Sequence, residues 1–369
     1  MRKTKIASPE ACCGCSACEQ ICPRGCITMQ EDSEGFLSPV VDESRCVDCG
    51  LCQKACPVMS PYSSRRPQKS YAAINRQEEV RLKSSSGGVF SLLAERCIAQ
   101  GGTVYGARFS SSWAVEHHGT DKAEDIHQYR GSKYVQSIIG HCFVEIKSLL
   151  AAGKPVMFVG TPCQVAALHH FLGKPYSQLL TVDFICHGVS SPAVWKWYIN
   201  NFVRRNRFLC FTCAKDPLKA IRTIDFRNKQ KGWRRYRIVV ELDGILKRRF
   251  SWVYFRNPFM KSFLSNLNLR PSCFQCPSKE GRSHGDITLA DFWNVHKVID
   301  GFDDNKGTSL VLVNTEKGAA AFGEIECRNQ EVDFDNAIQY NPAWHTPYPE
   351  NERRAEFFQQ YKTHFKDFI

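Results

Sequence analysis

Residues 12–23, CCGCSACEQICP, and residues 46–57, CVDCGLCQKACP, carry the same cysteine spacing. In each stretch four cysteines follow the pattern C-x2-C-x2-C-x3-C, and a proline comes directly after the fourth. This is the spacing that holds two [4Fe–4S] clusters, because three thiolates surround one iron–sulfur cube and the fourth reaches the neighbouring cube. The sequence therefore predicts a two-cluster module that transfers electrons.

The predicted ligation is crosswise between the two stretches. One cluster takes Cys12, Cys15, Cys18 and Cys56, and the other takes Cys46, Cys49, Cys52 and Cys22. The alternative is zinc, because any C-x2-C pair supplies half of a tetrahedral zinc site. Zinc gives no reason for two identical quartets each followed by proline, so iron–sulfur clusters are the preferred interpretation.

The composition is that of a globular protein with two or three domains. The chain has 369 residues, of which 43% are hydrophobic, enough to bury ordinary cores. No segment approaches the roughly 18 consecutive apolar residues of a membrane helix, and the basic start runs into the first cysteines without an apolar signal segment. The 19 cysteines are spaced for metal rather than for disulfides. We therefore expect a cytoplasmic protein without a membrane span.

The formal net charge of +12 is compatible with several kinds of binding partner. Each ligated cluster carries about −2, so the loaded protein is less basic than its sequence. Basic residues concentrate at 204–207, 227–237 and 247–249, and the last two runs lie in strand-like sequence that favours a solvated face. An acidic electron carrier, an anionic coenzyme or a membrane face would suit this charge. Nucleic acid is not expected, because no recognition module accompanies it.

The sequence divides into two units. Residues 1–60 form an α+β ferredoxin-like module, with a hairpin around Gly35 between the cysteine runs. Residues 61–70, PYSSRRPQKS, are predicted to be a linker. Residues 71–369 are the catalytic unit, with an N-terminal part at about 71–155 and a C-terminal part at about 156–345.

The second unit is predicted to be an α/β domain. Apolar strands alternate with helices over most of its length, which favours a mainly parallel sheet. From about 220 to 254 the pattern changes to antiparallel strands, with Asp243-Gly244 as a hairpin turn.

Four further cysteines stand at informative places in this domain. Cys163 lies at a strand-to-helix turn, and Cys186 follows the next buried strand, where open α/β sheets place their sites. Cys273 and Cys276 form a C-x2-C pair. Together they supply another quartet, although each taken singly is equally a buried structural cysteine. A competing pair with the same spacing is Cys210 and Cys213. The remaining cysteines are predicted to be packing residues: Cys13, Cys26, Cys97, Cys142 and Cys327.

Two glycine-containing segments precede predicted helices. Residues 83–88, KSSSGG, offer small residues whose amides allow a phosphate to approach, with a lysine in support. The alternative is an ordinary serine cap on a loop. Residues 130–134, RGSKY, combine a cation and an aromatic ring, which by itself is a weak signal.

The ordered motifs of the chain resemble the beta subunits of coenzyme F420 hydrogenases and dehydrogenases, which are iron–sulfur flavoproteins. The resemblance covers nearly the whole chain and rests on KSSSGGVFSLLAE, YRGSKYVQS, VGTPCQVAAL, DFICHGVSSP and the C-x2-C pair followed by GDITLADFW. Members of the family hold FAD beside a [4Fe–4S] cluster, and some carry an N-terminal two-cluster segment. The family also contains chlorophyll-pathway reductases and proteins of polysaccharide gene clusters, so it does not identify the substrate.

The resemblance implies two sets of site residues. The flavin neighbourhood would contain Lys83, Ser86, Gly87, Gly88, Ser132, Lys133 and Tyr134. The ligands of a third cluster would be Cys163, Cys186, Cys273 and Cys276.

A flavin also follows from the chemistry, because clusters pass single electrons whereas hydride donors deliver two. We predict an oxidoreductase that connects a small-molecule hydride donor or acceptor, such as a deazaflavin, through FAD and three clusters to a ferredoxin-like carrier or partner subunit. His187 and His284 are the candidates for catalytic proton handling, with a polar supporting role as the alternative. The rival function is a non-catalytic electron-transfer subunit that docks on a hydrogenase or a polysaccharide-biosynthesis enzyme.

Overall fold

A computed structural model describes residues 6–206, 216–243 and 247–369. The N-terminal module consists of two cysteine loops, each leading into a short helix, with a hairpin between them. Its elements are α1 (Ala17–Ile21), β1 (Ile27–Glu31), β2 (Leu37–Val41) and α2 (Leu51–Lys54). β1 and β2 pair antiparallel, and Gly35 takes a positive φ of 84° in the connecting turn. The predicted hairpin is therefore present.

The cysteine repeat is also a backbone repeat. Gly14 (φ 67°) and Asp48 (φ 52°) occupy the same position in their runs, and so do Ser16 (φ 58°) and Gly50 (φ 73°). Left-handed residues between the cysteines turn N–H groups toward one side of a loop, which makes a concavity for an anionic group. The two runs thus share one local geometry as well as one spacing.

The second unit is built on an eight-stranded mixed sheet, with strand order β13-β3-β12-β11-β7-β6-β4-β5. Its strands are β3 (Lys69–Asn75), β4 (Thr103–Phe109), β5 (Val115–Thr120), β6 (Val156–Val159), β7 (Leu179–Phe184), β11 (Ile287–Asp291), β12 (Ser309–Val313) and β13 (Cys327–Glu331). Only β4, β6, β7 and β11 run parallel to their neighbours in this group, and every flanking pair is antiparallel. The prediction of a mainly parallel sheet is therefore wrong for the flanks. β5 returns beside β4 after a short connection, and β3 pairs antiparallel with the distant strands β12 and β13.

A three-stranded antiparallel sheet, in the order β10-β9-β8, confirms the predicted change of pattern after residue 220. Its strands are β8 (Ile221–Asn228), β9 (Arg237–Leu242) and β10 (Arg248–Val253). The helices of the second unit are α3 (Glu78–Leu82), α4 (Val89–Ala99), α5 (Cys142–Ala151), α6 (Pro162–Leu172), α7 (Pro192–Asn206), α8 (Pro258–Leu264), α9 (Glu316–Gly323), α10 (Phe334–Ile338) and α11 (Arg354–His364). Within the described ranges, no helix has both the length and the apolar character needed to cross a membrane.

The central strands decide where a site can form. β6 and β12 carry apolar runs, VMFV and SLVLV, that are almost wholly buried, as expected for strands covered on both faces. The parallel strands β4, β6, β7 and β11 all end at one edge of the sheet, which is where open α/β sheets bind ligands. Cys163 lies in the first turn of α6, which follows β6, and Cys186 lies in the loop after β7.

The N-terminal module is packed tightly on the second unit. Phe36 of the hairpin is fully buried, and Arg354 of α11 forms a bidentate ion pair with Glu34. The amides of Phe143 and Val144 at the start of α5 donate to the Gln20 side chain. The two units therefore share a substantial interface.

The predicted linker is a packed connection. β3 already begins at Lys69, inside the predicted range of 61–70. Tyr62 stacks between the rings of His170 and His284, with ring centroids 4.2 and 4.3 Å away. The Arg65 amide donates to the Glu280 carbonyl at 2.9 Å. These contacts tie the connection to the sheet domain.

Candidate iron–sulfur and flavin site

The structure brings each predicted crosswise quartet around its own cavity. One cavity is lined by Cys12, Cys15, Cys18 and Cys56, and we call it the first site. Another cavity is lined by Cys22, Cys46, Cys49 and Cys52, and we call it the second site. Cys52 borders both cavities, so the two sites are neighbours.

Two cysteines that the sequence assigned to packing lie beside these sites. The Cys26 sulfur is 3.4 Å from that of Cys22 and lines the second cavity. Cys13 lines the first cavity, and its thiol is in hydrogen-bonding contact with Cys15 and with Cys163 of the sheet domain. The position of Cys13, directly next to a predicted ligand, was the signal that pattern reasoning passed over.

The second unit brings its four predicted ligands together as well. Cys163 begins α6, Cys186 follows β7, and Cys273 and Cys276 lie at the 3-10 turn Pro271–Gln275. Cys186 interacts electrostatically with Cys163 and Cys276, and Cys273 interacts with all three of the others. We call this quartet the third site. The competing pair, Cys210 and Cys213, lies outside the described residues.

The chemistry of the third site fits an anionic metal cluster. Burial raises the pKa of Cys186 to about 12 and that of Cys276 to about 11. Thiolates are the form that binds metal, so the ligated state needs cationic iron to offset several buried negative charges.

Zinc holds its thiolates at about 2.3 Å from a single centre, whereas an iron–sulfur cube separates its ligand sulfurs by the body of the cluster. The repeated cysteine spacing, with a proline after each fourth cysteine, favours the cube at the first and second sites.

The predicted flavin loop packs on the sheet. The Ser86 hydroxyl donates to the Thr308 carbonyl at 2.6 Å, and the Gly87 amide donates to the Ser309 hydroxyl at 2.9 Å. A side chain on Gly87 would place its Cβ 2.2 Å from the Ala73 carbonyl oxygen. Lys83 is exposed and forms an ion pair with Glu79, while Gly88 (φ 86°) begins α4. These contacts explain the small residues by packing, and the phosphate-binding role of the loop stays a prediction.

A buried arginine connects this loop with the second predicted segment. Arg227 is 4% exposed and donates to the Tyr134 hydroxyl, the Ser85 carbonyl and the Asp291 carboxylate, at 3.0, 2.8 and 2.8 Å respectively. The Ser85 hydroxyl in turn accepts from the Ser132 amide at 2.7 Å. Arg227 therefore lies at the centre of the predicted flavin neighbourhood.

Sequence reasoning missed this arginine because the 227–237 run was interpreted as a solvated face. That interpretation is wrong for Arg227 and for Lys229, which is 3% exposed. Arg227 at the end of β8 and Lys229 just after it lie two positions apart, on either side of the half-buried Asn228, so the available signal was their period-two spacing.

Two lysines of this neighbourhood have weakened basicity. Burial lowers the pKa of Lys133 to about 7, and burial together with the nearby Arg227 lowers the pKa of Lys229 to about 7. Among the described residues, Lys133 donates to two backbone carbonyls, both at 3.2 Å. An anionic ligand would restore the charged form of both side chains.

The two candidate histidines lie in different surroundings. His187 has its Nε2 2.8 Å from the Asn266 side-chain oxygen, and burial lowers its pKa. His284 has its Nε2 3.1 Å from the Ser63 carbonyl and stacks on Tyr62. Among the described contacts, neither imidazole is hydrogen-bonded to the predicted flavin set.

The flavin neighbourhood and the third site share a boundary. Val135 and Ser190 form an isolated parallel bridge, and the Gln136 amide donates to the Ser190 carbonyl at 3.0 Å. Phe263 contacts both Tyr134 and His187, with ring centroids 4.9 and 4.7 Å away. The segment after Cys186 therefore runs beside the segment that carries Lys133 and Tyr134.

Two family models match the chain. Residues 153–334, which contain the whole third site, match the model of the coenzyme F420 hydrogenase/dehydrogenase family that describes the C terminus of the beta subunit. This part of the chain therefore carries the C-terminal domain of that family. Residues 11–60 match the 4Fe-4S dicluster domain. The protein is thus an iron–sulfur protein similar to coenzyme F420 hydrogenase/dehydrogenase beta subunits, with a dicluster module at its N-terminal side.

Individual relatives support both assignments. An F(420)H(2) dehydrogenase subunit of Methanosarcina mazei is 22% identical over 172 residues, covering 44% of this chain and 49% of that protein. The chain therefore spans about half the length of this curated relative. The ferredoxin 7Fe of Hydrogenibacillus schlegelii is 36% identical over 72 residues, covering 18% of this chain and 86% of that protein.

A solved structure of the F420-reducing [NiFe] hydrogenase complex from Methanosarcina barkeri aligns with a TM-score of 0.47 and 15% identity. The alignment covers 82% of this chain and 91% of the matched chain.

Proposed function

We propose that this protein is an iron–sulfur flavoprotein oxidoreductase that couples hydride chemistry at FAD to single-electron transfer through three [4Fe–4S] clusters. The observation that carries the proposal is the shared boundary between a buried, cation-rich neighbourhood and a cysteine quartet. A two-electron centre next to a one-electron centre is the arrangement that converts hydride into single electrons.

The cation-rich neighbourhood supports an anionic aromatic cofactor. Lys133, Arg227 and Lys229 bring three basic groups into it, and Arg227 has a buried Nε without a hydrogen-bond partner among the described residues. Tyr134 and Tyr236 line Arg227, whose guanidinium lies 4.2 Å from the Tyr236 ring centroid. Such residues suit both the phosphates and the ring of FAD.

The residues of the chain have distinct roles in this proposal. When bound, FAD would accept or donate the hydride and release electrons singly. Lys133 and Arg227 would hold its negative charge, and Tyr134 would orient it through the hydroxyl that Arg227 fixes. The aromatic contacts around Tyr134 would exclude water, which strengthens each of these electrostatic interactions.

The order of the cysteine sites supports one electron route. Cys13 contacts Cys163 of the third site from within the first site, and Cys52 borders the first and second sites. Cys49 of the second site is exposed, whereas Cys12 and Cys15 are each 7% exposed. The proposed route therefore runs from the flavin to the third, first and second clusters and then to an external carrier.

The test is anaerobic stopped-flow reduction of the purified protein with reduced deazaflavin, nicotinamides and reduced ferredoxin in turn. The proposal predicts that one hydride donor bleaches a bound flavin and then reduces the clusters. Purified protein that binds no flavin, or clusters that only ferredoxin reduces, would overturn the hydride function.

The second candidate function is a non-catalytic electron-transfer subunit. The observation that favours it is a group of exposed apolar residues near the second site. Val47 and Leu51, 59% and 38% exposed, line the cavity of that site, on either side of Cys49 in the chain. A partner protein could cover them on docking. Under this function, cluster reduction would need the partner and no small hydride donor would suffice.

A further inference from the structure

Arg270 is a buried cation between the module and the third site. It is 1% exposed and precedes Cys273 by three residues. Its Nε donates to the Cys12 carbonyl at 2.5 Å, and its Nη2 donates to the Leu37 carbonyl at 2.9 Å. Its Nη1 donates to the Gln136 side-chain oxygen at 2.9 Å. One side chain thus holds a first-site ligand loop against the sheet domain.

The acceptors of Arg270 are all neutral. They are two carbonyls, an amide and the Ser38 hydroxyl, and no carboxylate within the described ranges forms an ion pair with it. Arg354, the other buried arginine of this interface, is paired with the Glu34 carboxylate. An uncompensated buried charge is strongly unfavourable, so Arg270 requires negative charge that its protein neighbours do not supply.

The ligated cysteines of the first and third sites would supply this negative charge. Arg270 contacts the backbone of Cys12 and acts electrostatically on Cys163, so it faces the first and third sites together. The Cys13 carbonyl accepts a hydrogen bond from the side-chain Nε2 of Gln136 at 2.9 Å, which is a second contact that holds the same loop. The cysteine loop packs closely against Arg270, because a Cβ on Gly14 would lie 2.7 Å from Arg270 Nη1.

We propose that Arg270 is a positioning residue for electron transfer between the third and first clusters, and that the clusters themselves balance its charge. It holds the Cys12–Cys13 segment against Cys163 and raises the reduction potential of the first cluster. The step is the transfer of one electron from the third cluster to the first, in which no bond forms or breaks. The inference rests on the proposed third cluster, but the potential of the first cluster can be measured without it.

The test is a redox titration of the full chain, followed by electron paramagnetic resonance, on anaerobically purified Arg270→Gln. Reduction adds negative charge, which a nearby cation favours. At the potential where half of the wild-type first clusters are reduced, the reduced-to-oxidised ratio should fall at least tenfold, a shift of about −59 mV. Arg270→Lys keeps the charge and should change the ratio much less.

A matched control separates charge from loosened packing. The double variant Glu34→Gln/Arg354→Gln removes the Arg354–Glu34 ion pair of the interface without changing the net charge, and should leave the reduction potential of the first cluster unchanged. If Arg270→Gln does not fold, Gln136→Glu can replace it. This variant places a carboxylate next to Arg270 Nη1 and should also lower the reduction potential of the first cluster. An unchanged potential in Arg270→Gln, or in Gln136→Glu if that variant stands in, would overturn the proposal. An equal shift in the double control would do the same.

A missing third-cluster signal in the wild type would instead count against the proposed function. The two failures therefore have different signatures.

Discussion

The module and the sheet domain build their cysteine sites in opposite ways. The first and second sites draw their ligands from two short runs whose backbone conformations repeat, including left-handed Gly14 and Asp48 at equivalent positions. The third site draws its ligands from Cys163, Cys186 and the 273–276 turn, which only the tertiary fold brings together. A site whose ligands are close in the chain can be predicted from the cysteine spacing, whereas a site whose ligands are far apart depends on the order of the strands in the sheet.

The two regions also differ in what supports them. The module has a small hydrophobic cluster that includes Cys26, Ile27 and Cys52, so its fold depends on its clusters and on docking. The third site lies at the edge of an eight-stranded sheet with large apolar cores. A separate family match suggests that the module folds independently. We expect instead that the module needs contact with the sheet domain for its stability.

The largest expected effect comes from deleting residues 1–66. All five family-like motifs lie after residue 80, which by itself predicts an independent second unit. The interface predicts the opposite, because deletion uncovers the face that buries Phe36 and removes every module partner of Arg270 and Arg354. The truncated chain should aggregate, with soluble yield reduced at least about tenfold.

The control for that deletion is a chain with a protease site inserted after Ser64. Once cut, its two fragments should elute together in size-exclusion chromatography. A soluble, monodisperse truncated chain that retains its flavin would show that the two units are independent.

Cysteine substitutions should have the next largest effect. The full protein should bind about twelve iron atoms, four per cluster. Cys276→Ser should lower this to about eight, while Cys52→Ser should remove the second cluster and perturb the first, because Cys52 borders both cavities. Iron analysis with electron paramagnetic resonance measures both.

Cys327→Ser is the matched control, since this buried cysteine lies in a hydrophobic cluster. Cys210→Ser should also keep all three clusters. Loss of a cluster in Cys210→Ser but not in Cys276→Ser would mean that the distributed site uses a different quartet.

A smaller effect is expected at the predicted flavin loop, residues 83–88. Gly87→Ala forces a Cβ against the Ala73 carbonyl and should destabilise the protein by about 1–3 kcal/mol. Gly323→Ala is the control, because its Cβ meets nothing within 4 Å. Thermal midpoints compare the two. Equal midpoints would leave the packing role of Gly87 without support.

The smallest expected effect is a pH dependence of FAD binding. Lys133 and Lys229 have a pKa of about 7 without ligand, and an anion would raise it. The affinity should therefore be constant below pH 7 and fall as the pH rises above it, by at most about tenfold per pH unit for each lysine. Fluorescence titration from pH 6 to 9 measures this. Lys133→Met should flatten the profile, and a profile already flat in the wild type would remove these lysines from the flavin site.

The sequence predicted local features well and distributed ones less well. The spacing of Cys12 to Cys56, the strand pattern around Gly35 and the apolar run of β12 each carried their own signal. The antiparallel pairing of β3 with β12 and β13 was missed because β3 is distant from both in the chain. Arg270 gave no signal at all, since its acceptors are two backbone carbonyls, one side-chain amide and one hydroxyl from three separate segments.

The most direct test of the account is single-turnover reduction of the anaerobic protein by reduced deazaflavin. Absorbance should be recorded at the flavin and cluster bands. The account predicts flavin bleaching first, followed by cluster reduction, in protein that carries FAD and about twelve iron atoms. Iron near eight without bound flavin, and no absorbance change on mixing, would contradict it.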